Sequence, residues 1–285
     1  MKKYLNLGCG GRFHDSWTNA DLNPACADVI PLNALDSMPF EDSAFSVIYA
    51  SHVLEHIPKN QTAPLLGECR RILQENGIIR IVVPDLEQTA LNYLACLKQA
   101  LDNPGDSRSK ENYEWAMLEL YDQCVRTNTG GELLSYLSRK TLVNEEDIYA
   151  RGGAETKNQR MRLSGNPDCP PKNQKGTVRL TSRLLKIFSR NFYKNFILRL
   201  LLHFNMPGEA GAALKQVFFR LSGEAHQWMY DRYSLAGLLQ EAGFRNIVRQ
   251  SFTSSAIQDW QRFNLDKEPD GSEWKPYSLY MEASK

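Results

Sequence analysis

Leu5-Asn6-Leu7-Gly8-Cys9-Gly10-Gly11 is an apolar run that ends in a cluster of glycines. A strand closing on glycines lets the backbone turn sharply and lets a ligand reach main-chain N–H groups without meeting a Cβ. Two acids follow in order: Asp21 in Asn19-Ala20-Asp21-Leu22-Asn23, and Asp36 in Leu35-Asp36-Ser37-Met38-Pro39-Phe40. A β-type run, Phe45-Ser46-Val47-Ile48-Tyr49-Ala50, then feeds Ser51-His52-Val53-Leu54-Glu55-His56. A carboxylate at the end of a strand can accept two hydrogen bonds from a ribose diol, so the pattern suits a nucleoside ligand. A nicotinamide site instead wants G-x-G-x-x-G and an acid about 20 residues on. Gly11 directly after Gly10, and Asp21 so soon after Gly8, argue against a hydride enzyme.

Working outward, residues 4–7, 19–22, 28–32, 45–50 and 77–83 read as strands, and Thr62 to Gln74 spaces Leu65, Leu66, Cys69, Ile72 and Leu73 at helical intervals. Alternating β and α units predict a mainly parallel sheet with helices on both faces. Only Arg12 to Thr18 separate the glycine turn from the second strand, fewer than the dozen or so residues of a normal crossover. The first helix is therefore expected to be shortened or absent. Arg12 and His14 could then supply the positive charge that its N-terminus would have offered an anion. After Asp85 the pattern turns helical (86–101, 110–126), a loop follows at Asn128-Thr129-Gly130-Gly131, and residues 151–176 read as a mobile connection. A helix over 234–242, capped at its start by Ser234 and ending at Gly243, precedes two closing strands at 245–252 and 277–283.

This succession resembles the class I S-adenosylmethionine (SAM)-dependent methyltransferases, well over residues 1–87 and loosely over 225–285. Within them it is similar to the methyltransferase type 11 group and to enzymes of bacterial polysaccharide and natural-product gene clusters. The resemblance implies an α/β, Rossmann-like, doubly wound fold. Its mainly parallel seven-stranded sheet would have an antiparallel edge strand and a large, mostly helical insertion after the fifth strand. Residues 1–87 and 225–285 would form the SAM-binding core, and 88–224 a lid that binds the acceptor. It further implies a cofactor site built from Gly8, Cys9, Gly10, His14, Asp21, Leu22, Leu35, Asp36, Ser51, His52 and His56, with S-adenosylhomocysteine as product.

Methyl transfer needs alignment, exclusion of water and, for a hydroxyl acceptor, a base. Histidine suits that task because its ordinary pKa lies near neutrality. His226, in Gly223-Glu224-Ala225-His226-Gln227-Trp228-Met229-Tyr230, is the first candidate, and His52 is the second. The two are expected to face the reactive centre from opposite walls. Tyr121, Trp228 and Tyr230 are candidates for the acceptor side. A saccharide or glycolipid hydroxyl is the favoured acceptor. The alternatives are N- or O-methylation of a peptide or small molecule, and a non-catalytic SAM-binding protein.

Composition bounds the rest. A net charge of +1 gives no general attraction to nucleic acid. The six cysteines are scattered without a CxxC pair, as expected for reduced thiols of a cytoplasmic protein, and no metal site is expected. The start Met1-Lys2-Lys3-Tyr4 reads straight into a strand, leaving no signal-peptide pattern, and no apolar run is long enough to span a bilayer. From Lys172 to Gly208 there are eight Lys/Arg and no acid, interleaved with Leu, Ile and Phe. That stretch suits an amphipathic lid, with 179–204 a candidate for peripheral membrane contact. Oligomeric state is not encoded in any pattern found.

Overall fold

A computed structural model describes residues 3–165 and 222–285, together with positions 211, 213, 216, 217, 219 and 220. The basic stretch from Lys172 to Gly208 lies outside these residues, as does part of the connection expected at 151–176. The strands are β1 (Tyr4–Leu7), β2 (Thr18–Asp21), β3 (Val29–Pro31), β4 (Phe45–Ser51), β5 (Leu73–Pro84), β6 (Arg245–Gln250) and β7 (Ser278–Ser284). They form one seven-stranded sheet in the order β3-β2-β1-β4-β5-β7-β6. The first five neighbours run parallel, and β7 pairs antiparallel with both β5 and β6. This is the Rossmann-like α/β sheet that the sequence predicts, with the order reversing between β1 and β4.

Alternation with period two divides the sheet into two chemically different faces. Leu5, Leu7, Ile48, Ala50, Ile79, Ile81, Val83, Leu279 and Met281 point to the main core. There they meet Leu65, Leu66, Cys69 and Ile72 of α1 (Lys59–Ile72) and Leu235 and Leu239 of α6 (Arg232–Glu241). The helix stops at Ile72, two residues before the expected end at Gln74, the chain is already extended at Leu73, and Asn76 turns at φ +61° inside β5. The start of α6 is set by Asp231, whose carboxylate accepts from the amides of Tyr233 and Ser234. Ser234, expected as the cap, answers from the third position of the same capping box. Gly243 (φ +86°) ends that helix as expected.

The opposite face carries Val47, Tyr49, Val82 and Tyr280, and no crossover helix covers it from the β1–β2 side. A coil between β6 and β7 does so, through Ile257, Trp260, Phe263 and Leu265, with Trp17 fully buried among them. Trp17 packs edge-on to Phe263 (ring centroids 5.2 Å apart) and to Trp260 (6.2 Å). The short crossover and the long β6–β7 connection are thus one solution: an absent helix is replaced by an aromatic coil. Arg12 helps lock it. Its guanidinium donates to the carbonyls of Asn264 (2.8 Å), Leu265 (2.9 Å) and Lys267, and stacks on Trp274. That occupation corrects the expectation that Arg12 offers its charge to a ligand.

The same face holds a fully buried cation. Arg80 of β5 is 0% exposed, lies 2.7 Å from carboxylate oxygens of both Asp266 and Glu282, and donates to the carbonyls of Ser251 and Ser254. Tyr49 donates its hydroxyl to Asp266 at 2.5 Å. Every strong donor of the guanidinium is thereby matched, as a buried charge requires.

Between β5 and α6 come α2 (Leu86–Asp102), α3 (Ser107–Val125), α4 (Gly131–Leu137) and α5 (Glu145–Leu163). Asp85 and Asp106 cap α2 and α3, each accepting two backbone amides. Trp115, Tyr136, Leu137 and Ile148 give these helices a small core of their own. Residues 151–163, expected as loop, are helical, with a kink at Gly153 (φ +63°) where the chain passes Pro276. Helical side-chain spacing was hidden there by the Gly-Gly pair. Among the described residues no helix is long and apolar enough to cross a membrane.

Removing one partner of a buried ion cluster strands the other charge, at about 3–5 kcal/mol. Asp266→Ala is therefore expected to lower folding stability by about that amount. Urea unfolding followed by circular dichroism should show the midpoint falling with the slope unchanged.

Candidate functional site

Reversal of strand order between β1 and β4 opens a crevice at the carboxyl ends of the parallel strands, where α/β sheets bind ligands. The glycine turn lines it. Gly8 and Gly10 adopt φ +68° and +52°, and the amides of Gly8 and Cys9 both donate to the carbonyl of Ala20. A Cβ on Gly8 would stand 2.3 Å from Val53 Cγ2, so the turn is pressed against the segment after β4. A Cβ on Gly10 would meet nothing within 4 Å. Gly8 is needed for packing, whereas Gly10 leaves backbone open to a ligand. Cys9 is buried, which pushes its thiol up to about 12 and keeps it protonated at neutral pH.

Asp21, at the end of β2, accepts the amide of Gly10 on Oδ2 (2.8 Å) and that of Asn23 on Oδ1 (2.7 Å). Its carboxylate is oriented while lone pairs remain free. Beyond it, Leu22 and Leu35 are 51% and 43% exposed. Asp36 is exposed and takes one hydrogen bond from Asn33 Nδ2. His14 is held within the turn, its Nδ1 against Ser16 Oγ (2.7 Å) and its ring edge-on to Phe263.

On the other side of the crevice, β4 ends at half-buried Ser51, and His52 follows with φ +54°. This left-handed backbone is uncommon for a residue with a Cβ and marks a position held by its surroundings. His52 Nε2 lies 3.0 Å from Ser278 Oγ, and its Nδ1 lies 3.1 Å from Oε1 of Glu55. Glu55 sits in the 3-10 turn Leu54–His56 and is 0% exposed. Burial would push its carboxyl up, but the imidazoles of His52, His56 and His226 outweigh that and hold it down at about 2. Burial drives the His52 imidazole below its ordinary pKa, and that of His226 to about 3.

His226 does not face His52 across an opening. It is 5% exposed and packs edge-on against His56, ring centroids 4.8 Å apart. Its loop is clamped from both sides. The amide of His226 donates to Gln123 of α3, and those of Gln227 (2.6 Å) and Trp228 (3.3 Å) donate to the carbonyl of Glu55. Tyr230, expected at the acceptor, is 1% exposed in the main core with its hydroxyl on Thr62. Trp228 stays 39% exposed under the ammonium of Lys59 (4.0 Å), and Tyr121 of α3 is 56% exposed. Glu55 escaped the sequence reading; its one local sign was a charge set between two histidines in an otherwise apolar segment.

Residues 15–81 match a family model described as "Methyltransferase domain". Several solved structures are similar to this chain, two of them as follows. One is a SAM-dependent methyltransferase from Archaeoglobus fulgidus, 11% identical, covering 99% of this chain and 85% of that one at a TM-score of 0.38. The other is the YcgJ protein from Bacillus subtilis, 16% identical, covering 35% of this chain and 52% of that one at a TM-score of 0.24. No curated protein matches the chain.

Gly8→Ala would force a Cβ into left-handed backbone, at about 1–2 kcal/mol, before any clash with Val53 is counted. Gly10→Ala meets only the backbone cost. Thermal denaturation should place the Gly8 variant clearly below the Gly10 variant.

Proposed function

We propose that this chain, a class I SAM-dependent methyltransferase by its sheet order and its methyltransferase-domain match, methylates a hydroxyl of a saccharide or glycolipid intermediate. SAM supplies an activated methyl group on a sulfonium. The residues lining the crevice suit it. Asp21 keeps acceptor capacity for a ribose diol, and the open backbone of Gly10 admits close approach. The exposed Leu22 and Leu35 offer apolar faces to a planar base, with Asp36 beside them to accept from its amino group. Ser51 and His52 stand at the end of β4, on the far side of the glycine turn.

The observation that carries the catalytic part is the pairing of strained His52 with fully buried Glu55. The Glu55 carboxylate, 3.1 Å from Nδ1, is an ion-pair-length neighbour of the ring, and Nε2 lies 3.0 Å from Ser278 Oγ. Burial keeps the ring neutral at pH 7, the form that can accept a proton. His52 is therefore assigned as the base, and His226 gives up that role because it is enclosed behind His56. Trp228 and Tyr121 offer exposed aromatic faces suited to a sugar ring, and α2–α5 with the clamped 226–228 loop form the wall that receives the acceptor. The buried thiols of Cys69 and Cys96, both free, suit work in the reducing cytoplasm.

Calorimetry with S-adenosylhomocysteine is expected to show binding that Asp21→Ala weakens by about 1.5–3 kcal/mol, the scale of hydrogen bonds to a charged group. His52→Gln should cut turnover by about 10²–10⁴-fold, the usual contribution of a positioned base. Incubation with methyl-labelled SAM and separate saccharide and peptide pools decides the acceptor. Label confined to peptide would overturn the saccharide reading, and binding of S-adenosylhomocysteine with no transfer to any pool would favour a non-catalytic binder.

A further inference from the structure

Glu55, His56 and His226 bring one carboxylate oxygen and two ring nitrogens within 4.8 Å of one another. We infer that these three side chains bind one divalent transition-metal ion of the zinc type, which pins the 226–228 loop to the turn after β4. The inference goes beyond the methyl-transfer reading and does not depend on it.

Polar bookkeeping carries it. Both carboxylate oxygens of Glu55 are buried and neither receives a hydrogen bond of good geometry. Oε1 has only ion-pair-length neighbours, His52 Nδ1 at 3.1 Å and His56 Nε2 at 4.0 Å. His56 Nδ1 is also buried with no hydrogen-bond partner. A buried carboxylate left this way is costly, because desolvation of a charge is repaid only by pairing or by coordination to a metal. Elsewhere in the molecule the same problem is solved with hydrogen bonds: Asp266 and Glu282 are fully engaged by Arg80, Tyr49, Gln250 and Ser255. Glu55 has no cation of that kind beside it among the described residues.

The donor set names the class of ion. Two imidazoles and one carboxylate are ligands for zinc and its first-row neighbours, with a fourth position left for water. Metal–ligand bonds of about 2.0–2.2 Å put tetrahedral ligand atoms roughly 3.4 Å apart, so modest side-chain rotations close the site around an ion. The side chain of His56 is 26% exposed and gives the ion a way in. His52, on Oε1, would orient the carboxylate from outside the site, as second partners of metal ligands do.

The test uses the full chain, stripped with chelator and titrated with cobalt(II) as a spectroscopic probe for a zinc-type site. One equivalent should produce the visible absorption of protein-ligated cobalt, zinc should displace it, and zinc should raise the thermal midpoint of the stripped protein. His226→Ala and His56→Ala should each abolish the band, while His14→Ala should keep it. If the alanine variants do not fold, isosteric Glu55→Gln, checked by circular dichroism, should fold and lose the band. No stoichiometric cobalt binding, or binding that survives Glu55→Gln and His226→Ala, would overturn the assignment and leave the cluster a metal-free carboxylate–imidazole group.

Discussion

Arg80 is a full positive charge with no contact with water, placed in the middle of a central strand, and much of the molecule is arranged around keeping it there. Its partners come from β7, from the coil after β6 and from the loop before β7. Because an unpaired buried guanidinium costs several kcal/mol, these segments cannot separate from β5 without a large penalty. The coil that carries them also carries Ile257, Trp260, Phe263 and Leu265, which cover the sheet face that a first crossover helix would have covered. The ion cluster thus supplies position, and the aromatic packing supplies burial.

That arrangement reaches the ligand crevice by way of Arg12. Held on the carbonyls of residues 264, 265 and 267, it anchors the chain just after the glycine turn, which itself rests on Val53. Both walls of the crevice are therefore tied to packed structure: one through Gly8 and Asp21, the other through β4 and the turn that follows it. Preorganisation of this kind would serve the proposed methyl transfer, because holding reactants aligned lowers the barrier. The loop holding Trp228 is fixed by a different device, the carbonyl of Glu55, so one turn of chain serves the loop, the proposed base and the proposed ion.

The two buried clusters form a contrast. Around Arg80, carboxylates outnumber the cation and hydrogen bonds absorb the excess. Around Glu55, one carboxylate faces three imidazoles, and its lone pairs are left over. The first is a structural lock. The second has the unsatisfied chemistry expected of a working site.

Much of the crevice was legible in the sequence alone. The glycine turn, Asp21, Asp36 and the segment beginning at Ser51 are each defined by residues a few positions apart, and strand ends in a parallel sheet fall side by side by topology. The missing first helix was legible for the same reason: seven residues cannot hold it, whatever the rest of the chain does. What covers the bare face was not, because Trp17, Trp260 and Phe263 meet only after the sheet has formed. Likewise His226 reads as an accessible base and Tyr230 as an acceptor contact until packing encloses both. Burial and pairing between distant residues are properties of the folded chain, so only the tertiary structure could enclose His226, set His52 beside Glu55, and bring Glu55, His56 and His226 together.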